Sequence, residues 1–278
     1  MPWLSVVIPV RNEAAGIVQV LMPLQALRDE LEIILVDGGS TDGTLELAGP
    51  LADHAITSLP GRARQMNAGA AQAGGEVLLF LHADTLLPAG FVGMIRKAMH
   101  NPAVLNPTMD PRLRGDDVAG ERGVSVTGTA PPLYPVIPAH AGIHVDLPTQ
   151  HQWGRFNVEL APSSPALKLI AWMMNHRSRL TGICTGDQAI FVRRDLFHQL
   201  GGYADIALME DIEFTSRLNR TGPAACIRQP LTTSSRRWQQ NGVLRTMAFM
   251  WWLRLQYWLG VSPARLAKKY YPARPNTH

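Results

Sequence analysis

Several acidic side chains of this chain stand directly after apolar runs or at the start of a helical pattern. Asp37 closes the run IILV, Asp84 follows the run VLLFL, and Glu210–Asp211 opens the segment EDIEFTSRLNRTG. A carboxylate can accept an N–H of a nucleotide base, supply a hard oxygen ligand to Mg²⁺ or Mn²⁺, or act as a general base toward a hydroxyl group. These positions are therefore the first candidates for chemistry.

The elements that carry these residues alternate between short apolar runs and helical patterns. The runs predict strands over 4–9, 33–37, 55–58 and 77–82, and the patterns predict helices over 14–27, 44–52, 62–73 and 88–99. Continuously apolar strands are typical of a parallel sheet that crossover helices cover on both faces. We therefore predict an α/β fold with a Rossmann-like, doubly wound, mostly parallel sheet, in which ligands bind beyond the carboxyl ends of the strands.

The segment over 104–152 interrupts this alternation. Eight prolines and five glycines fall between residues 101 and 150, with neither a helical nor a strand period. The phrases MDPRLRGDD and VIPAHAGIH resemble the translation of a dispersed bacterial intergenic repeat. We interpret the segment as an insertion that forms a disordered loop. After it, strands are expected at WGRFNVEL and QAIFVRR, and helices over 166–179, at DLFHQLGGY and from Glu210 onward.

The overall composition excludes several classes of protein. The chain has 278 residues, 46% of them hydrophobic and 17% charged, which disfavours collagen-like, coiled-coil and wholly disordered chains. Two cysteines, Cys184 and Cys226, without a CxxC pair, disfavour a disulfide scaffold and a cysteine zinc site. The start MPWLSVVIPVRNE lacks a basic leader and is expected to form a strand, so the expected location is cytoplasmic.

Charge is divided unevenly along the chain. Residues 214–278 contain eleven Lys or Arg and no Asp or Glu, whereas residues 1–213 contain fifteen against twenty-two. Arg245 and Arg254 fall on opposite faces of the apolar segment 243–261, which disfavours a membrane span. Four of the seven tryptophans lie between 238 and 258, a composition typical of a membrane interface. We predict a main domain over 1–235 and a basic, Trp-rich helical extension over 236–278 that lies on an anionic membrane surface; the alternative is a helix that packs onto the main domain.

Four segments in this order, VVIPVRNE, VDGGSTDGT, LHADT and MEDIEF, resemble the inverting family-two glycosyltransferases of GT-A fold. GRARQMNAG and TGDQAIFVRR extend the resemblance over nearly the whole chain apart from 104–152. Within this family, the sequences of these segments are most similar to a bacterial subgroup, transferase 2 of the rSAM/selenodomain-associated type. The resemblance implies transfer of a sugar, expected to be a hexosyl group, from a nucleotide-diphosphate donor to an acceptor hydroxyl, with inversion and a divalent metal, Mg²⁺ or Mn²⁺.

The resemblance also assigns residues to a nucleotide-sugar pocket. It places Asp37 at the base, whose identity stays open because Gly38 stands where the family often has a second Asp. The alternative for Asp37 is a cap on the turn that follows. The other lining residues are Pro9, Arg11, Glu13 and Arg62, with Arg62 directed at phosphate or, alternatively, at solvent.

The segment His82-Ala83-Asp84 occupies the position of the family's metal-binding DxD motif. Asp84 is the expected metal ligand, because a hard carboxylate oxygen suits Mg²⁺ or Mn²⁺. His82 replaces the first Asp of the motif, and it is expected to ligate metal, face the ribose or form a hydrogen bond at the strand end.

Glu210–Asp211 matches the family's acidic pair on the acceptor side. An inverting displacement requires a base for the acceptor hydroxyl, and Asp211 is the expected base with Glu210 orienting it. The alternative is a favourable interaction of both acids with a helix N-terminus. Asp187 is expected to frame the acceptor. The segment Arg236-Arg237-Trp238 resembles a family element near the diphosphate, its alternative being a basic surface strip.

Three other functions are alternatives to sugar transfer for this sequence. A nucleotidyltransferase of similar fold typically carries a Gly-rich, basic signature after the first strand, where this chain has VRNEAAG. A membrane-associated binding protein without catalysis would bind the donor and not hydrolyse it. Nucleic acid is not an expected partner, because the chain has no zinc finger and no RNA-binding aromatic motif, and its basic residues are interleaved with bulky apolar ones.

The insertion hypothesis predicts that deletion of residues 105–150 leaves the melting temperature and nucleotide binding nearly unchanged. The physical reason is that the closure entropy of a loop grows only with the logarithm of its length. Thermal unfolding of the deletion variant and the full chain, each with and without a nucleotide diphosphate, provides the measurement. A variant that does not fold would show that the segment contributes to the core.

Overall fold

The computed structural model describes residues 2–100 and 151–271. The predicted insertion over 104–152 lies outside these residues except for its last two positions. Strands of the described chain are β1 Leu4–Val10, β2 Leu31–Asp37, β3 His54–Thr57, β4 Val77–Phe80, β5 Thr85–Leu86, β6 Trp153–Ala161, β7 Phe191–Arg193 and β8 Ala225–Ser234. Helices are α1 Ile17–Leu21, α2 Thr44–Ala48, α3 Arg62–Gln72, α4 Phe91–His100, α5 Pro165–Thr181, α6 Arg194–Gln199, α7 Glu210–Thr221, α8 Arg236–Asn241, α9 Val243–Trp258 and α10 Pro263–Tyr270.

The strands form one mixed sheet in the order β3-β2-β1-β4-β7-β6-β8-β5. The first four strands are parallel neighbours, β7 is antiparallel to β4 and β6, β6 and β8 are parallel, and β5 is antiparallel to β8. Val10 pairs with Asp37, so β1 and β2 end side by side. The predicted α/β fold is confirmed, with an antiparallel strand at the centre of the sheet.

The core lies on both faces of the sheet, because successive side chains of a strand point to opposite faces. On one face Val6, Ile8, Ile33, Leu35 and Leu79 pack with α1 and α4. On the other face, beneath α3, α6 and α7, the strands contribute Val7, Ile34, Val36, Leu78 and Phe80. Burial on both faces explains why these strands have continuously apolar sequences.

Two predicted helices are shorter than expected, and prolines account for both differences. The first ends at Leu21 and continues as a 3-10 turn over Met22–Leu27 that contains Pro23. The second ends at Ala48 before a 3-10 turn over Gly49–Leu51 that contains Pro50. Proline lacks the N–H that an α-helical hydrogen bond requires.

The longest strand, β8, was not predicted from the sequence. Its central residues Arg228, Gln229 and Pro230 are exposed, which breaks the apolar alternation, and its register with β6 shifts between Phe156 and Asn157. Beyond this shift β8 pairs with β5 as well as β6. The strand therefore joins the edge strand β5 to β6 and the rest of the sheet.

The C-terminal helices pack onto the sheet domain. Leu253 of α9 and Leu266 of α10 are buried in one apolar cluster with Leu208 and Met209, which precede α7. A second cluster joins α9 to α5, with Val243 and Met247 from α9 and Leu160, Leu167, Ile170 and Met174 from β6 and α5. Within residues 2–100 and 151–271, no helix combines the length and apolar character needed to cross a membrane. The extension therefore packs against the main domain, which is the alternative stated above.

Two glycines within helices provide a matched test of the packing of α3 on the sheet. A Cβ at Gly69 of α3 would overlap Cγ1 of Val7 and lie 2.9 Å from Cγ2 of Val36, whereas a Cβ at Gly93 of α4 meets nothing within 4 Å. Gly69→Ala is expected to lower the free energy of unfolding by about 1–3 kcal/mol through overpacking. Gly93→Ala is expected to raise it by about 0.4–1 kcal/mol, because alanine restricts the unfolded chain. Urea unfolding measures both, and equal effects would contradict the close packing of α3.

Candidate active site

The loops that follow β1 and β2 are joined by side-chain hydrogen bonds at the carboxyl edge of the sheet. The Asn12 N–H donates to Ser40 Oγ at 2.9 Å, and the Thr41 N–H donates to Asn12 Oδ1 at 2.8 Å. The Glu13 N–H donates to Thr44 Oγ1 at 2.8 Å. The two loops therefore form one unit that holds Glu13 beside the end of β2.

Asp37 lies inside this unit with only 3% of its surface exposed. Its Oδ2 accepts the N–H groups of Gly39 and Ser40 at 3.0 and 2.9 Å, and its Oδ1 accepts the Ser40 hydroxyl. The carboxylate thus caps the turn after β2, as the alternative interpretation predicted. Its part in nucleotide binding stays a prediction.

Gln65, which sequence reasoning missed, ties the ends of β1 and β2 together. Its Nε2 donates to the carbonyl oxygens of Val10 and Val36 at 2.9 and 2.8 Å. A Cβ at Gly38 would lie 3.0 Å from the Gln65 amide, so a side chain at position 38 would require this amide to move. The available signal was a polar residue among the buried positions of α3, which include Ala63, Met66 and Ala70.

Glu13 connects the first loop to the C-terminal part of the chain. Its Oε2 lies 3.8 Å from Nη2 of Arg236. Burial raises the pKa of Glu13, and the charge of Asp84 adds to this effect. The charges of Arg236 and Arg62 lower the pKa but do not outweigh burial. Pro9 is half-buried opposite Val36 at the end of β1, and the next residue but one, Arg11, is exposed.

The His82 ring is held between Asp187 and Gly186. His82 Nδ1 lies 3.1 Å from Asp187 Oδ1, and a Cβ at Gly186 would overlap His82 Nε2. The Asp187 side chain is 48% exposed, and the charged groups of His82, Arg62 and Arg237 act on it; the region that these residues share with Asp84, Glu210 and Asp211 is called the cleft below. Although enclosure by the cleft opposes ionisation, the hydrogen bond and charge of His82, with Arg62 and Arg237, lower the pKa of Asp187 to about 2. Asp187 is therefore an anion at neutral pH.

β8 brings the predicted arginine pair to Asp84. Asp84 is exposed just before β5, and its carbonyl oxygen accepts the N–H of Ser234 at 3.2 Å. The Oγ1 atoms of Thr85 and Thr233 lie 3.0 Å apart across the β5–β8 pair. Because β8 runs directly into α8, this pairing fixes Arg236 and Arg237 on the side of Asp84.

Arg62 and Arg237 are two of the cations of the cleft. Burial lowers the pKa of Arg237, and Arg62 adds to this effect, whereas Tyr271, Asp187 and Asp84 oppose it. The Arg237 guanidinium lies 4.4 Å from the centroid of the Tyr270 ring. Arg62 is exposed; desolvation by neighbouring groups lowers its pKa, but the carboxylates of Glu210, Asp187 and Asp211 act in the opposite direction and its pKa is raised. Each arginine thus interacts with carboxylates of the other half of the chain. Arg62 interacts with Asp187, Glu210 and Asp211, and Arg237 interacts with Asp84.

Glu210 and Asp211 form the first turn of α7. Asp211 Oδ2 accepts the N–H of Gly186 at 2.9 Å, and its Oδ1 accepts the N–H of Ile212 at 2.8 Å. Glu210 is buried, and burial together with the charge of Asp211 raises its pKa, against the charge of Arg62. The preceding residue, Met209, has a positive φ of 70°.

Trp238 lies apart from these charged groups. It packs against the apolar cluster of Leu160, Leu167 and Ile170, where it anchors α8 to the domain. Of the segment 236–238, the two arginines therefore belong to the cleft and the tryptophan to the packing beneath it.

The donor atoms of the cleft are suited to a metal ion that is also coordinated by a phosphate group of a bound ligand. Among the residues described, no group of three or more His, Cys, Asp or Glu side chains gathers as a metal site would require. Mg²⁺ is usually held by one or two carboxylates together with substrate phosphates and water. The exposed carboxylate of Asp84 fits that requirement. The His82 ring, by contrast, contacts Asp187 through Nδ1 and packs closely against Gly186 at Nε2.

The sequence and the fold were compared with known proteins. Residues 5–123 match the sequence model of Glycosyl transferase family 2. No curated protein sequence matches the chain significantly.

Solved structures of similar fold include a mannosyltransferase and the protein TarS. A mannosyltransferase, PcManGT from Pyrobaculum calidifontis in complex with GDP-Man and Mn²⁺, shares 20% identity over 84% of this chain and 56% of its own, with a TM-score of 0.50. S. aureus TarS 1–349 shares 14% identity over 84% of this chain and 61% of its own, with a TM-score of 0.54. A complex of the same TarS fragment with UDP-GlcNAc has a TM-score of 0.54, 14% identity and coverage of 84% and 58%.

This chain spans less than two thirds of the length of each of those structures. Their likeness concerns the fold, which is that of GT-A glycosyltransferases. Residues 5–123 are thus similar to glycosyl transferase family 2, and the described chain has the GT-A fold of these structures.

Proposed function

We propose that the protein transfers a hexosyl group, with inversion, from a nucleotide diphosphate to an acceptor hydroxyl. The observation that carries this proposal is the position of Asp211, whose two oxygens are oriented by the N–H groups of Gly186 and Ile212 at one end of a cleft with cations and Asp84. A base fixed in this way is what an inverting displacement requires of its acceptor side.

Asp211 is proposed to take the proton of the acceptor hydroxyl. The acceptor oxygen then forms its bond to the anomeric carbon while the bond from that carbon to the diphosphate breaks, and the nucleoside diphosphate leaves with the electron pair. Glu210 stands beside the base, and its raised pKa reflects burial and the neighbouring charge of Asp211.

The donor side is proposed to comprise Asp84, Arg62 and Arg237. The arginines would hold the diphosphate oxygens, since guanidinium groups bind phosphate through paired N–H donors. Asp84 would hold a divalent metal, which supplies charge neutralisation to the leaving diphosphate. PcManGT, whose fold is similar, was determined with GDP-Man and Mn²⁺, which supports this assignment.

The nucleoside is proposed to lie over the joined loops after β1 and β2. Asp37, Pro9, Arg11 and Glu13 stand at the carboxyl ends of these neighbouring parallel strands, where α/β sheets bind nucleotides. The hydrogen bonds between the loops support the proposal, because a pre-formed pocket loses less entropy when ligand binds.

An anionic membrane surface at the cytoplasmic face is proposed as the partner of α9. The outer side of this helix exposes Leu244, Trp251, Leu255, Trp258 and Leu259, with Trp258 82% exposed. Lys269 lies over the Trp252 ring at 4.4 Å, so cations border the apolar stripe. Trp and Leu bordered by Lys and Arg are typical of helices that lie in a membrane interface.

Asp211→Asn is expected to lower turnover by about 10²–10⁴-fold with donor affinity close to that of the wild type, because the amide cannot accept the proton. Transfer rate and nucleotide titration provide the two measurements. Asp205→Asn is the matched control, since Asp205 is an exposed carboxylate paired with Arg64. Full activity of Asp211→Asn would refute the assignment of the base.

Asp84→Ala is expected to weaken donor binding in the presence of Mn²⁺ and to leave metal-free nucleotide binding nearly unchanged. The reason is that the variant loses a hard oxygen ligand without losing Arg62 or Arg237. Thermal shift with a nucleotide diphosphate, with and without Mn²⁺, measures the difference, because ligand binding to the folded state raises stability. An equal Mn²⁺ effect in both proteins would contradict a role of Asp84 in metal binding.

Flotation with vesicles tests the membrane proposal. The protein is expected to float with vesicles that contain anionic lipid and to be released by salt, because electrostatic attachment is screened. Trp258→Ser is expected to weaken flotation, whereas Trp172→Ser, which changes an exposed tryptophan of α5, serves as a comparison. Indifference to anionic lipid, or retention through carbonate and high salt, would refute peripheral attachment.

A further inference from the structure

Two arginines that the proposed mechanism does not use lie on the acceptor side of the cleft. Arg177 belongs to α5 and Arg254 to α9. Within the described ranges 2–100 and 151–271, Nε and Nη2 of Arg177 and Nε of Arg254 are buried without a hydrogen-bond partner. Neither side chain forms an ion pair with another described residue.

The packing of α5 against α9 brings the two arginines together. Met174 and Met247 belong to the apolar cluster between these helices. Arg177 follows Met174 by three positions and Arg254 follows Met247 by seven, so each lies on the helix face that carries its methionine. The arginines therefore continue the seam between α5 and α9.

The charge of Asp211 reaches both arginines. Burial lowers the pKa of Arg177 and that of Arg254, and the negative charge of Asp211 opposes this lowering in each case. Burial, with the charge of Arg254 and more weakly that of Arg155, lowers the pKa of Arg177 to about 10. Both side chains thus remain cations at neutral pH, next to the proposed base.

Arg177 and Arg254 are partly exposed, but guanidinium nitrogen atoms that are buried without a partner are costly, and proteins normally pair such groups or bind a counter-ion. The nearby thiol of Cys184 does not supply a counter-charge, since burial raises its pKa to about 12. The carboxylate of Asp211 already accepts two backbone N–H groups. An anion from a ligand would satisfy both guanidinium groups, which bind phosphate and carboxylate through paired N–H donors.

We propose that Arg177 and Arg254 bind an anionic group of the acceptor, a phosphate or carboxylate, that lies close to the hydroxyl which Asp211 deprotonates. This inference rests on the proposed function. The donor diphosphate is assigned to Arg62 and Arg237 in the proposed function. Asp187 acts on these two residues and on Arg254, so the two anionic groups would lie in neighbouring parts of one cleft. The same anionic chemistry is available in a soluble phosphate ester and in a lipid headgroup such as phosphatidylglycerol.

Titration calorimetry with inorganic phosphate tests the site directly. The full-length protein is saturated with a nucleotide diphosphate and Mn²⁺ so that the donor side is filled. Arg177→Gln and Arg254→Gln are each expected to weaken phosphate binding at least about 10-fold, the loss of one charge-assisted hydrogen-bond pair. Arg179→Gln is the matched control, because a residue two positions from Arg177 faces away from it. Equal phosphate affinity in all four proteins would overturn the proposal.

Thermal unfolding without phosphate separates a ligand site from a structural role. Removing one of two neighbouring buried cations is expected to raise the melting temperature of the unliganded protein by a few degrees, since an uncompensated charge is lost. A lower melting temperature in both variants, with phosphate affinity retained, would show that the arginines only support the fold and would overturn the proposal.

Transfer assays separate the two sources of the anion. Glycerol phosphate in solution and vesicles of phosphatidylcholine with phosphatidylglycerol are compared as acceptors, and KM is expected to rise in Arg177→Gln for whichever is used. A neutral acceptor of equal or better kcat/KM, with KM unchanged in the variant, would overturn the proposal. Failure of sugar transfer with every donor would refute the proposed function, whereas the phosphate titration, repeated without nucleotide, would still decide whether the anion site exists.

Discussion

The left-handed backbone of Met209 is the constraint on which the acceptor side of the cleft depends. A non-glycine residue in this conformation costs about 1–3 kcal/mol and persists only where surrounding structure holds it. Here the side chain is buried with Leu208, Leu253 and Leu266, two of which come from α9 and α10. The next residues are Glu210 and Asp211, so the packing of the C-terminal helices directs α7 and its carboxylates into the cleft.

The C-terminal helices consequently have two roles. Their inner faces stabilise the turn before α7 and place Arg254 beside Asp211, while the outer face of α9 exposes apolar side chains. A change in how α9 packs would therefore alter the acceptor side as well as the exposed surface.

The cleft is organised by alternating charges rather than by a closed metal cage. Asp187 is held ionised by His82, Arg62 and Arg237, and Glu13 contacts Arg236 from the opposite loop. With the exception of Asp187 and Arg237, which both belong to the mixed half of the sheet, these pairs join an element of the parallel half to one of the mixed half. A polyanionic ligand can enter such a cleft by exchanging partners with the arginines, because the carboxylates that hold them are partly solvated.

The sequence by itself determined the parallel half of the fold and the identity of the acidic residues. Continuous apolar runs indicate buried parallel strands, and the carboxyl ends of such strands lie at one edge, which locates Asp37 and Asp84 without a structure. The tertiary structure alone revealed β8, the bridge formed by Gln65 and the unpaired Arg177 and Arg254. These depend on contacts between residues distant in sequence, and local periodicity carries no record of which polar side chain will meet a partner when the elements pack.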